Sequence, residues 1–256
     1  MAAAKPYVTV EQARTMPGLR IAFTQGVPGP WGQAIREILD LKGVDYVPVI
    51  QEGGAPNDAL REWTGQTSAP VAVLGDERPR SHWSELLMLA ERLAPEPRLV
   101  PADEGLRMDM FGILHELCAE DGLGWSARLI VLDILDKAGA TDVAAWMRGK
   151  FASGAALDHA AKRVAAITQA LSERMTRQLA SGSEYLVGDA LTAADIYWTS
   201  FSNMLQPFPH DICPMPKTYR SWSQITLKAT VGALPDKLLQ HRERILRRYL
   251  NPPMWF

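Results

Sequence analysis

The chain of 256 residues is 47% hydrophobic and 22% charged, a balance that builds a buried core and excludes wholesale disorder or a collagen-like repeat. Lys and Arg number 27 against 29 Asp and Glu, so no net field draws the molecule to nucleic acid or to an anionic membrane surface. Cys118 and Cys213 are too few for a disulfide framework and lack the paired spacing of structural zinc, so a reducing, cytoplasmic setting without metal is expected.

In chain order, the apolar run Arg20–Thr24 predicts a buried strand that stops at the Gly/Pro-rich turn Gln25–Pro30. Apolar residues at Ala34, Ile35, Ile38, Leu39 and Leu41 predict a helix from Trp31 to Lys42, stopped by Gly43. Val44–Ile50 reads as a second strand, and Ala55–Trp63 as one or two helical turns or an irregular segment. Ala69–Leu74 is β-rich and breaks at Gly75-Asp76, with Pro79–Trp83 expected to return as the second arm of a hairpin. Ser84–Leu93 has the spacing of an amphipathic helix, and the proline-rich Ala94–Pro101 reads as a connector. Beyond it the helical period holds over Asp103–Glu120, Ser126–Lys137, Thr141–Phe151, Leu157–Ser181, Ala193–Gln206 and Pro235–Leu250. The order predicts an α/β domain with a mixed sheet over 17–95, a linker over 96–104 and an all-helical domain over 105–250. Met1–Lys5 has no apolar run behind it, and Leu129–Leu135 falls far short of the roughly 20 apolar residues that span a bilayer, so neither export nor membrane insertion is expected.

Four segments carry a resemblance to a known family. Gly29-Pro30-Trp31 through Ile35-Arg36 resembles the frame in which a Ser or Cys precedes Pro-aromatic at the start of the first helix, although here Gly29 holds the Ser/Cys position. Ala69-Pro70-Val71 resembles a Val-Pro-x element whose proline is cis, and Glu85-Leu86 through Leu93 resembles a Glu-Ser-x-x-Ile helix in which Leu86 replaces the Ser. Tyr185 through Asp195 resembles a Leu-x-Gly-x-x-x-Thr-x-Ala-Asp element, where Thr192 and Asp195 also have the spacing of a capping box. In this order the four elements are similar to those of the glutathione S-transferase superfamily, which implies a thioredoxin-like α/β domain followed by an all-helical domain.

The resemblance implies that glutathione is bound as co-substrate and that its thiol is ionised, because the thiolate is the nucleophile and an ordinary thiol titrates near about 8.5. With no side chain at Gly29, the expected donors to sulfur are Thr24, Gln25 and the N–H groups of Trp31 and Gly32 at the helix start. The resemblance assigns the backbone of Ala69, before a cis Pro70, to the cysteinyl backbone of glutathione, and Glu85 to the γ-glutamyl amine. Leu86 leaves the γ-glutamyl carboxylate to N–H groups at that helix start or to the hydroxyl of Ser84. Some of Met108, Phe111, His115, Glu116, Glu120 and Trp125 are candidates to face a second-substrate cleft between the domains, with a core or surface role as the leading alternative for each, and Asn251–Phe256 is expected to pack back on the body, with a place bordering the pocket open to it.

The leading expectation is a glutathione-dependent transferase or lyase acting on a small hydrophobic electrophile. The alternatives are a non-catalytic ligand-binding protein of the same fold and a glutathione-dependent peroxidase. Homodimerisation is implied by the resemblance. Arg242–Arg248 is a short basic segment read as a solvated helix face, and no nucleic-acid partner is expected.

Overall fold

The computed structural model describes residues 5–140, 144, 145, 147, 148 and 157–256. A short helix α1 (Val10–Arg14), capped by Thr9, precedes a three-stranded sheet of β1 (Leu19–Thr24), β2 (Val47–Gln51) and β3 (Val71–Leu74) in the order β2-β1-β3. β1 runs parallel to β2, with Arg20 opposite Val47 and Thr24 opposite Gln51, and antiparallel to β3, with Ala22 opposite Val71. Side chains alternate along β1, so its two faces enter two cores. Leu19, Ile21 and Phe23 meet α2 (Pro30–Leu41) and α4 (Trp83–Leu93), while Ala22 joins Val10, Ala13, Val49, Leu60 and Val71 beneath α1 and α3 (Asp58–Thr64).

The expected hairpin arm at Pro79–Trp83 is not a strand. It makes a single bridge, Ala72 to Arg80, before α4 begins at Trp83. His82 is already the N-cap of α4, so the chain leaves the sheet two residues after Arg80 and the pairing stops at one residue. The segment around Ala55–Trp63 is helical over Asp58–Thr64, and its C-terminal cap Gly65 takes the left-handed conformation that closes it.

The connector 94–101 is fixed from below by Lys42. Its buried ammonium donates to the carbonyls of Ala94 (2.8 Å) and Pro97 (2.7 Å) and pairs with Glu91 at 2.7 Å. A buried cation is tolerable here because three acceptors replace its water.

The second half contains α5 (Glu104–Cys118), α6 (Leu123–Lys137), α7 (Leu157–Ala180), α8 (Ala193–Phe201), a 3-10 turn (Ser202–Met204), α9 (Lys217–Thr230) and α10 (Asp236–Tyr249). The helix expected over Thr141–Phe151 lies for the most part outside the described residues. Every residue of α8 is buried, and α2, α5 and α10 pack around it. A helix this apolar on all faces must be central. Its start is held by Asp195, whose buried carboxylate accepts from the Thr192 N–H (2.8 Å), the Thr192 hydroxyl (3.1 Å), the Leu186 N–H (2.8 Å) and His241 Nε2 (2.9 Å). The basic segment is not wholly solvated: Arg242 is buried, donates to Ser202 and to the Gln206 carbonyl, and lies over the Phe208 ring, while Arg244 and Arg248 reach Glu184. Among the described residues no helix is long and apolar enough to cross a membrane.

Candidate active site

A cavity of about 590 Å³ lies where the end of β1, the start of α2 and the loop before β3 face α6 and α9 of the helical half. Its floor is made locally. β1 stops at Thr24, Gly26 turns the chain with φ 70, and the Gly29 N–H bonds back to the Val27 carbonyl at 2.8 Å before Pro30 opens α2. Pro30 is favoured there because its missing N–H would be unpaired in any case. Gly29 offers no side-chain cap, so the N–H groups of Trp31 and Gly32 are left without an intrahelical partner, at the positive end of the helix dipole. Gly29, Trp31 and Gly32 all line the cavity.

Thr24 and Gln25 also line it, but their chemistry differs from the expectation. The Thr24 hydroxyl donates to Gln51 Oε1 at 2.5 Å. The Gln51 amide is itself oriented by two donations, from Nε2 to the Glu52 carbonyl (2.8 Å) and the Thr67 carbonyl (3.2 Å). The single hydroxyl proton of Thr24 is therefore committed across the sheet, leaving only oxygen lone pairs toward the cavity. Gln25 is exposed, and its backbone N–H is tied to the Gln51 carbonyl at 3.2 Å while its side-chain amide makes no bond among the described residues. Nothing fills the space a Cβ would occupy at Gly29.

The Ala69–Pro70 peptide is cis, and both residues line the cavity. Neither the N–H nor the C=O of Ala69 is taken up by a hydrogen bond among the described residues. Ser84, Glu85 and Leu86 lie outside the cavity lining, and each is already engaged. Glu85 pairs with Arg78 at 2.5 Å, which holds its carboxyl below the usual carboxylate range by hydrogen bonding. Ser84 Oγ is 2.7 Å from His82 Nδ1, which also accepts from the Ser84 N–H. The Leu86 side chain is 2% exposed in the core and its N–H bonds the His82 carbonyl at 3.0 Å, so the Leu86 N–H is not free for a carboxylate.

Apart from Phe256, which belongs to the tail expected to pack back, the far wall holds residues that the sequence reading did not single out. Arg128 of α6, Tyr219 and Trp222 of α9, Met147 and Phe256 line the cavity, whereas Met108, Phe111, His115, Glu116, Glu120 and Trp125 do not. Glu116 instead pairs with Arg163 at 2.6 Å. The signal for α9 is present as Pro216 followed by Tyr219, Trp222 and Thr226 at helical spacing. Trp31 joins the halves: its indole N–H donates to the Cys118 carbonyl at 2.9 Å and its ring meets Phe201 edge-on at 5.0 Å.

Arg36, nearly two turns into α2, is a buried cation on the cavity wall. It donates to the Trp255 carbonyl and to the Tyr7 hydroxyl (2.7 Å), and its guanidinium lies 4.1 Å from the Phe23 ring centroid and 3.7 Å from that of Trp255. Residues 251–256 thus do pack back, with the Met254 N–H bonding the Ile212 carbonyl at 2.7 Å. Neither cysteine is a nucleophile at neutral pH. Burial pushes the Cys118 thiol well above its ordinary value and Cys213 up to about 11.

The family described as "Glutathione S-transferase, C-terminal domain" matches residues 136–226. The structure is similar to a glutathione S-transferase from Methylobacterium radiotolerans in complex with glutathione sulfonate, with a TM-score of 0.58 and 18% identity over 90% of this chain and 91% of that one. It is similar to one from Methylobacillus flagellatus with glutathione bound, with a TM-score of 0.59 and 13% identity over 90% and 95%. It also resembles a beta-etherase from Sphingobium sp. strain SYK-6, with a TM-score of 0.56 and 17% identity over 89% and 99%. A search of curated proteins finds no match. At these identities the structural likeness is one of fold. The fold is therefore that of glutathione S-transferases, and residues 136–226 match the C-terminal domain of that family.

Proposed function

We propose that the cavity binds glutathione and that the chain is a glutathione-dependent transferase or lyase. The observation that carries this reading is that an uncapped helix start and the unpaired backbone of Ala69 open into one cavity in a fold whose neighbours hold glutathione and its sulfonate. The Ala69 N–H and C=O would pair with the cysteinyl backbone as an added strand does, and this brings sulfur to the Trp31 and Gly32 N–H groups. Those dipoles favour the anion, and each unit by which they lower the thiol pKa is worth about 1.4 kcal/mol. The thiolate then attacks an electrophilic carbon; a C–S bond forms as the carbon's bond to its leaving group breaks, and the thiol proton passes to solvent.

The bond from the Thr24 hydroxyl to Gln51 favours the helix start over Thr24 as the donor. Calorimetric titration with reduced glutathione is expected to saturate at roughly millimolar concentration or below. The ultraviolet thiolate band of the bound thiol is expected to titrate below the ordinary value of about 8.5, and to do so equally in Thr24→Val. Absence of binding overturns the proposal. Loss of the thiolate in Thr24→Val would transfer the role to that hydroxyl. Binding without ionisation would favour the non-catalytic reading, to which the missing hydroxyls at Gly29 and Leu86 also point.

A further inference from the structure

The cavity wall carries two cations, Arg36 and Arg128, and no carboxylate among its described lining residues. The two arginines are in different states. Arg36 is occupied by the Trp255 carbonyl, the Tyr7 hydroxyl and two ring faces. Arg128 makes no hydrogen bond and no ion pair among the described residues, although it lines a recess shared with Tyr219 and Trp222. Burial there pushes its pKa below the ordinary arginine value, its water having been removed with no replacement acceptor among the described residues. An arginine in this condition gains from any anion that enters, because the anion restores both charge balance and the planar fork of hydrogen bonds.

The surroundings restrict the anion. Tyr219 and Trp222 sit one turn apart on α9 with rings 4.9 Å apart and nearly perpendicular, and Trp31 and Met147 complete an apolar wall. The helix start that would hold sulfur belongs to α2, on the opposite side of the cavity from α6. We propose that the electrophile is an amphipathic organic acid, an aromatic body bearing a carboxylate, with Arg128 pairing the carboxylate and Trp31, Tyr219 and Trp222 enclosing the ring. That this acid is an electrophile rests on the transferase reading, but the recognition of an aromatic carboxylate stands or falls separately.

The experiment compares naphthalene-2-carboxylate with the uncharged, near-isosteric naphthalene-2-carboxamide, by calorimetry on the full chain in the absence of glutathione. The wild type is expected to bind the carboxylate at least about tenfold more tightly, the smaller end of what a charge-assisted bidentate contact contributes. Arg128→Met is expected to erase that ratio and Arg128→Lys to keep part of it, with glutathione affinity within about twofold of wild type in both. Thermal melting of both variants verifies folding, and the lysine variant carries the test if methionine does not fold. A ratio near one in the wild type overturns the inference, as does an Arg128→Met variant that keeps the preference. If Arg128→Met instead weakens glutathione about tenfold and leaves the naphthalene pair unchanged, Arg128 serves a glutathione carboxylate and the inference fails. A persistent carboxylate preference with no glutathione binding at all would sustain this inference and overturn the transferase reading.

Discussion

Glu37 lies on the buried face of α2, 5% exposed, and accepts a hydrogen bond from the Gln33 amide, while Gln33 Oε1, on the cavity wall, has no partner. Burial, and to a lesser degree the charge of Asp40, raises the Glu37 carboxyl from 4.5 to about 7. Below about pH 4.5 the group is protonated in the folded and unfolded chain alike and contributes no pH dependence. Between about 4.5 and 7 the unfolded chain releases the proton first, so stability falls as pH rises, by about 3 kcal/mol in all, and then levels off. Denaturant unfolding at a series of pH values is expected to show this loss in the wild type and its absence in Glu37→Gln; a difference between the two that does not change with pH would refute it. The Thr24 hydroxyl illustrates why such residue-level detail escapes a sequence. Its place at the end of β1 is readable from the Gly/Pro turn that follows, but its partner Gln51 is set by the parallel register of β2, which no local pattern encodes.

At the scale of elements, the contact of α2, α6 and α8 depends on the lack of a side chain at Gly124. A Cβ there would lie 2.6 Å from a Phe201 ring carbon and 2.8 Å from a Trp31 ring carbon. Alanine has the higher helix propensity by roughly 0.5–1 kcal/mol, yet overpacking against two rings costs about 1–3 kcal/mol, so the overpacking wins. Gly124→Ala is expected to lower the unfolding midpoint and Gly112→Ala, with nothing within 4 Å of its added Cβ on α5, to raise it slightly. If both variants proved stabilising, the close approach at Gly124 would be refuted. Long amphipathic elements such as α4, α5 and α7 were legible because their apolar spacing repeats over several turns. α9 was not, because its sequence Lys217–Thr230 buries only Ser223 and Thr226, and its aromatic residues are only partly buried between the core and the cavity. The part of the site's far wall made by Tyr219 and Trp222 was lost with it.

Taken as a whole molecule, the two halves are joined by apolar packing through α2 and α8, by the Trp31–Cys118 bond and by the passage of residues 251–256 over Arg36. The two-part fold could be read from four short motifs in order, since capping, a proline before β3 and a helix start each fix a piece of backbone geometry. The closing contact at Trp255 could not, because it joins residues through an arginine whose sequence neighbours give no hint of an aromatic cage. Trp255→Ala removes a ring 3.7 Å from the Arg36 guanidinium and an edge contact with Tyr7. The loss is expected to be about 2 kcal/mol, or roughly 4–8 °C in melting temperature for a chain of this size, with Arg36 left partly unshielded. An unchanged melting temperature would show that the cage contributes nothing.

The same cage has a bearing on the order of events during synthesis. Arg36 and the carbonyl that receives it are separated by 219 residues. At roughly 5–20 residues per second, a ribosome needs on the order of ten to forty seconds to make that interval. Throughout it, any α2 that has formed keeps its Arg36 guanidinium in water, so the cavity reaches its final shape only after Trp255 has been made.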